Sequence, residues 1–373
     1  MLDPFVLDWL NLLARFGHLI AGIAWIGTSF YFVALDFSLR ERPGLPAGVK
    51  GEAWEVHGGG FYQVQKYLSA PPSLPDHLTW FKWEAYITWV TGFCLLIIQY
   101  YLQASSYLID PEVMVLTPVQ AVGISIATLV AGWVVYNALC KWLAISHPGW
   151  LVTLLLLMIM GAAYGFTHVF SGRGAFIHVG AFIGTLMAAN VFMVIIPNQR
   201  KITAALLNGE MPDPKLGAIG KQRSLHNTFL TLPVLLMMVS NHFPMLTGNP
   251  HGWLIVALII IAGAALRYFL VRTEVGDAHA DIAWAIPVIG SALALALVLT
   301  MPAETKIYEG AVSDAEALNI VQSRCAVCHA ANPGDATIKA APKGIKLETL
   351  DELKRYARQV ETQAVKNRAM PLG

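Results

Sequence analysis

ARFGHLIAGIAWIGTSF, residues 14–30, carries only two ionisable side chains, Arg15 and His18, in an otherwise apolar run. His18, Gly22, Trp25 and Ser29 fall at i, i+4, i+7 and i+11. That spacing puts them on one face of a helix. The face is small and polar, so it should turn toward neighbouring helices while the apolar remainder meets lipid. The run extends over roughly 8–34, longer than the ~20 residues that cross a hydrocarbon core of about 30 Å.

Seven more runs of this kind follow, at 83–104, 117–142, 150–170, 174–197, 224–246, 252–271 and 281–301. The 373-residue chain is 56% hydrophobic and 13% charged, against about 25% charged for an average soluble domain. Its eleven Trp and twelve Tyr suit membrane interfaces. A net charge of +1 offers no basic excess for nucleic acid. The expected fold class is all-α: a polytopic membrane bundle of about eight helices at 1–301, then a small α-helical domain at 302–373. Asp3 and Asp8 precede the first run without a basic leader, so no cleavable signal is expected.

Lys and Arg in the connections set the orientation. Segment 35–82 holds Arg40, Arg42, Lys50, Lys66 and Lys82, and segment 198–223 holds Arg200, Lys201, Lys215, Lys221 and Arg223. The opposite connections hold only Arg173. The basic side is expected in the cytoplasm, with both termini periplasmic.

The tail carries the motif with the plainest chemistry. CAVCH at 325–329 is the Cys-x-x-Cys-His attachment signature of a covalent c-type haem. Cys325 and Cys328 would form the thioethers, and His329 would ligate the iron. Met370 in AMPLG is the methionine available as second ligand. A redox dithiol would want a βαβ unit, and a zinc site would want more Cys or His nearby. SDAE at 313–316 is a capping-box pattern opening a helix that runs into Cys325, and a second helix is expected near 348–360.

Ionisable residues within the spans are functional suspects. His18, His178 and His242 fall toward the periplasmic side and are candidates to hold a second haem, of b type. His178 sits near Gly180, Gly184 and Ala188, a helix-packing series. Pro233 should free backbone groups in the sixth span. HGGGFY at 57–62 would let backbone approach a flat or anionic ligand, although a flexible loop is the commoner explanation of such a glycine run.

HLIAGIAWIG in the first span, EVHGGGFY and KYLSAPPSLPDHLTWFKWEAY in the first basic loop, SLHNTFLTLPVLLMMVSNHFP in the sixth span and the terminal CAVCH together resemble the bacterial membrane urate oxidases fused to cytochrome c. The resemblance implies an inner-membrane enzyme that oxidises urate to 5-hydroxyisourate. Electrons would pass to the fused haem and on to a periplasmic cytochrome or terminal oxidase, without direct peroxide production. It carries over Cys325, Cys328, His329 and Met370. Small cytochromes c continue with a further helix after the Met loop, whereas this sequence stops at Gly373.

Urate is planar and anionic, so its pocket needs an aromatic, cationic or amide donors, and a base. The cytoplasmic side offers His57, Glu84 and His226 for catalysis, with Lys66, Trp83 and Asn227 for binding. The periplasmic side offers Arg15, His18, His178, Asn241 and His242. A cytoplasmic origin of urate favours the first set. The alternative is a quinol-linked membrane subunit that delivers electrons to the same haem.

Overall fold

The computed structural model describes residues 4–67, 71, 73–143, 148–301, 312–335, 338, 340–366 and 370. Helix α1 (Pro4–Ser38) leads into strands β1 (Val49–His57) and β2 (Gly60–Tyr67). Helix α2 (Trp83–Leu95) continues as a π-helical segment, Leu96–Tyr101, before the short α3 (Ala104–Tyr107). Then come α4 (Pro118–Leu143), α5 (Pro148–Thr167) and α6 (Gly172–Ala189). A second π segment, Asn190–Ile195, joins α6 to α7 (Ile196–Leu207). Helix α8 (Pro214–Val239) ends in a 3-10 turn, Ser240–His242, and α9 (Pro244–Thr247), α10 (Gly252–Val275), α11 (His279–Ile282) and α12 (Ala285–Thr300) complete the bundle. The tail contributes α13 (Asp314–Arg324) and α14 (Leu350–Val360). Its junction at 302–311 and its end at 371–373 lie outside the described residues.

Among the described residues, six helices are long and apolar enough to cross a membrane. The other two expected spans fall on α2 with its π continuation, and on α8. The first is less apolar, with Glu84 near its start and Gln99 near its end. The second opens with Lys215, Lys221 and Arg223 before it becomes apolar. The protein is therefore mostly helical, as the apolar runs require.

The mean faces explain the packing. Helix α1 leans on α2, leaving Leu12, Phe16, Leu19 and Ile23 each more than half exposed on its far side. Helices α4, α5, α6, α8 and α10 surround the core, where Ile183, Leu186, Met237 and Ile255 are fully enclosed. Close approach uses small residues. A Cβ on Gly132 would meet the Phe182 ring at 2.1 Å, and one on Gly180 would meet Met237 Cβ at 3.1 Å. Gly180 thus serves helix packing, as its series suggested.

One element departs from the all-α expectation. Residues 49–67 form an antiparallel hairpin with Val56 opposite Phe61 and His57 opposite Gly60. Gly58 and Gly59 have φ of 58° and 82°, the left-handed pair that a two-residue hairpin turn demands. The glycines of HGGGFY therefore make a tight turn, not a ligand-approach loop. Alternation in KGEAWEV carried the strand signal, which the Gly-rich composition obscured.

The tail follows its capping chemistry. Ser313 accepts from the Glu316 amide at 3.2 Å, and Thr349 with Glu352 forms a complete capping box. Arg324 reaches Glu112 at 3.4 Å, so the tail sits at the end of the bundle that carries the 108–117 connection. That end is called the tail end below, and the opposite one the basic end.

Candidate functional site

Two polar knots interrupt the apolar interior, and each hangs on a π-helical segment. A π segment shifts the i→i−4 ladder and re-aims side chains. At the tail end, Tyr101 hydrogen-bonds Ser125 Oγ at 2.7 Å, and Ser125 bonds His178 Nε2 at 2.7 Å. His178 Nδ1 donates to the Gly174 carbonyl at 2.7 Å. Both of its ring nitrogens are thereby engaged. Neighbouring Tyr100 accepts from Asn241 Nδ2 at 2.6 Å.

At the basic end, Asn190 begins the second π segment. Its Nδ2 donates to the Tyr136 hydroxyl and to Asn227 Oδ1, both at 2.9 Å. Its Oδ1 accepts from Arg223 Nη1 at 3.2 Å. Arg223 Nη2 reaches Asn137 Oδ1 at 2.8 Å, and its guanidinium carbon lies 4.9 Å from the Tyr136 ring centroid. Asn227 Nδ2 donates to the Met187 carbonyl at 3.0 Å. Tyr136 meets His226 Nδ1 at 2.8 Å. The Tyr136 hydroxyl thus joins Asn190 to His226.

This knot buries an arginine with two amides, a phenol and an imidazole. Arg223 is 2% exposed and His226 is 8% exposed, and Arg223 Nε has no hydrogen-bond partner among the described residues. Buried polar groups are normally satisfied, and in this cluster Arg223 Nε is the donor left over among the described residues.

The residues expected to accompany His226 and Asn227 lie elsewhere. Lys66 is paired with Asp36. His57 is exposed at the hairpin tip. Trp83 is 61% exposed, with Lys82 Nζ 5.5 Å from its ring centroid, and Glu84 is half-buried at the start of α2. No hydrogen bond or ion pair joins these four to His226 or Asn227 among the described residues. Arg223, Tyr136, Asn137 and Asn190 enter from the tertiary structure. Arg223 was counted only as a loop charge.

A second buried arginine, Arg267 on α10, also went unremarked. Its guanidinium carbon lies 3.8 Å from the Phe30 ring centroid, and Nε and Nη2 are buried without a partner among the described residues. Its signal was available: it is the one charge within 252–271, and a charge in an apolar span is a functional suspect.

The haem candidates sort by their free nitrogens. His329 Nδ1 donates to the Ile345 carbonyl at 2.9 Å, leaving Nε2 open as ligating imidazoles require. Ile345 follows directly on the Pro342–Gly344 turn. The Cys328 and His329 amides both return to the Cys325 carbonyl, at 3.1 and 2.8 Å. One helical turn thus gathers both thiols beside the imidazole, and burial pushes both thiols above the ordinary range. These residues fit a covalent c-type haem. Met370 is half-buried, its amide donating to the Gln363 carbonyl at 3.1 Å. His18 also donates from Nδ1, to the Thr88 carbonyl at 3.0 Å, and keeps Nε2 open. His178 has no open nitrogen, and His242 lies exposed in the 3-10 turn. Of the three, His178 as placed has no nitrogen free for a b-type haem.

The family model for the urate oxidase N-terminal domain matches residues 4–301. The chain belongs to the urate oxidase N-terminal family. The match covers the whole helical bundle, including both polar knots, and stops where the tail begins. No curated protein and no solved structure matches the chain.

Proposed function

We propose that this urate-oxidase-related protein is an eight-span enzyme of the bacterial inner membrane that converts urate to 5-hydroxyisourate at the basic end of its bundle. Both termini are periplasmic in this reading. Urate and one water give 5-hydroxyisourate, two protons and two electrons. Cys325, Cys328 and His329, with Met370, hold the c-type haem, which when bound supplies one-electron acceptance toward a periplasmic cytochrome or terminal oxidase.

The observation that carries the reading is the buried Arg223–Asn190–Tyr136–His226 knot inside a chain of this family. Arg223 and the amides of Asn190 and Asn227 provide directional donors and acceptors for a ring rich in carbonyl and N–H groups. His226 takes its orientation from Tyr136. A proton delivered to or taken from His226 can be exchanged through the Tyr136 hydroxyl, which makes the pair suited to proton handling as electrons leave. The apolar walls exclude water and keep these interactions strong. His57, Lys66, Trp83 and Glu84 belong to the approach surface rather than to this knot.

The test is anaerobic mixing of purified full-length protein with urate while the c-haem α-band is followed. Two haem equivalents should be reduced per urate consumed. Reduction by a quinol and none by urate would replace this reading with the quinol-linked one. A pyridine haemochrome on the same sample counts c- and b-type haem separately.

A further inference from the structure

Arg267 is a buried charge that the polar knot does not use. It is 2% exposed, and none of the ion pairs among the described residues includes it. Its unpartnered nitrogens are Nε and Nη2. These two N–H groups lie side by side on one edge of the planar guanidinium, the fork that grips two adjacent acceptors of an anion. The Phe30 ring lies 3.8 Å from the guanidinium carbon, and both nitrogens are enclosed. A buried charge without a hydrogen-bonded partner is strongly disfavoured. The Glu274 carboxylate acts on Arg267 without forming an ion pair with it, so the fork is left for an acceptor from outside the chain.

The helix register places the fork near the knot. A Cβ on Gly263 would come within 2.9 Å of Pro233 Cδ, which fixes where α10 crosses α8. From that crossing, Arg267 lies four residues toward the basic end on α10, on the same stripe as Gly263. His226 lies seven residues toward the same end on α8, on the same stripe as Pro233. At 1.5 Å of rise per residue the two differ in height by about 4–5 Å. Both therefore belong to the basic end of the α8–α10 seam.

We infer that Arg267 is the anion-anchoring residue of the substrate site, gripping the two-acceptor edge of a planar anion through Nε and Nη2 beside the His226 knot. The inference rests on the urate reading and names how that substrate is held. The urate monoanion presents a carbonyl oxygen next to a deprotonated ring nitrogen, an edge of the required kind. An anionic lipid headgroup also carries adjacent oxygens, but it lacks the flat ring that the site's amides would read.

Calorimetric titration of the full-length protein with urate under anaerobic conditions tests this, with Arg267→Met and Arg267→Lys compared against wild type. Arg267→Met should weaken urate binding at least about 30-fold, the lower range for truncating one partner of a buried charge pair. Arg267→Lys keeps the charge but loses the fork, so it should lie between the two and remains informative if the Met variant fails to fold. Urate-driven haem reduction should show the loss chiefly in KM. Unchanged covalent haem content and elution volume report an intact protein. Urate affinity within twofold of wild type in both variants overturns the inference. So does phospholipid that co-purifies with wild type and is lost in Arg267→Met while urate binding is unaltered. If wild type binds no urate, the urate reading fails by itself. Orotate, a planar carboxylate, then probes the fork: Arg267-dependent binding keeps the fork as a planar-anion receptor, and its absence removes both.

Discussion

Tyr136 on α4 and His226 on α8 stand 2.8 Å apart, hydroxyl to Nδ1, although 90 residues separate them in sequence. The contact ties the imidazole to Asn190 and, through it, to Arg223. Tyr136→Phe removes the one atom shared by this chain. It leaves His226 Nδ1 and an Asn190 N–H short of a partner, at a cost of about 1–3 kcal/mol for stranded buried groups. Urate-driven haem reduction should slow by about tenfold or more, given that 1.36 kcal/mol corresponds to a factor of ten. Stopped-flow absorbance with a parallel melting curve separates lost turnover from lost folding.

Gly172 and Gly22 are both helical glycines with opposite surroundings. A Cβ on Gly172 would fall 1.8 Å from the Thr247 carbonyl oxygen, whereas one on Gly22 would meet nothing within 4 Å. Gly172→Ala should destabilise on the order of 3 kcal/mol or more, because backbone rather than a flexible side chain must move. Gly22→Ala should be neutral or stabilise by up to about 1 kcal/mol through helix propensity. Thermal unfolding in one detergent ranks the two.

The CAVCH turn predicts a separable loss. With Cys325→Ser and Cys328→Ser combined, haem staining of a denaturing gel should show no covalent haem. The bundle knots share no bond with either thiol, so urate affinity should stay within about twofold of wild type, a difference well under 1 kcal/mol. A loss of urate binding in that variant would show that the tail shapes the substrate site.

Glu52 should make the hairpin sensitive to acid. Its carboxylate accepts from Gln63 at 2.6 Å and Trp54 at 3.0 Å, with Arg42 at 3.6 Å. The bond from Gln63, then that from Trp54, holds its pKa below the ordinary carboxylate value. A lowered folded pKa contributes stability that is present above the unfolded value and lost as pH falls through the folded one. Amide protection across 49–67, with the intrinsic exchange rate divided out, should therefore fall as pH drops below the ordinary glutamate value of about 4.3. Glu52→Gln should exchange faster at neutral pH and lose that dependence.

Much of this architecture can be read from local sequence because long apolar helices, helix caps and closely spaced Cys and His residues follow local rules. Apolar runs long enough to satisfy their own backbone located the helices. Cys325, Cys328 and His329 are neighbours in the chain, so their turn follows from spacing, and Ser313 and Thr349 announce their caps. The hairpin was missed because a Gly-Gly pair reads equally as a flexible loop or as a left-handed turn, and only strand pairing decides between them.

The knot at the basic end is a different case. Arg223 meets Asn190 across 33 positions and Asn137 across 86. Helical period assigns a residue to a face but not that face to a neighbouring helix. In a bundle apolar on every side, the pattern that would orient each helix is weak. The π segments at Leu96–Tyr101 and Asn190–Ile195 then rotate the faces that carry Tyr100, Tyr101 and Asn190 away from their simple 3.6-residue phase. By itself the sequence determined the long apolar helices, the end that gathers Lys and Arg, and the CAVCH turn. Tertiary packing alone decided which buried polar groups converge, because that depends on helix neighbours and registers that no local pattern encodes.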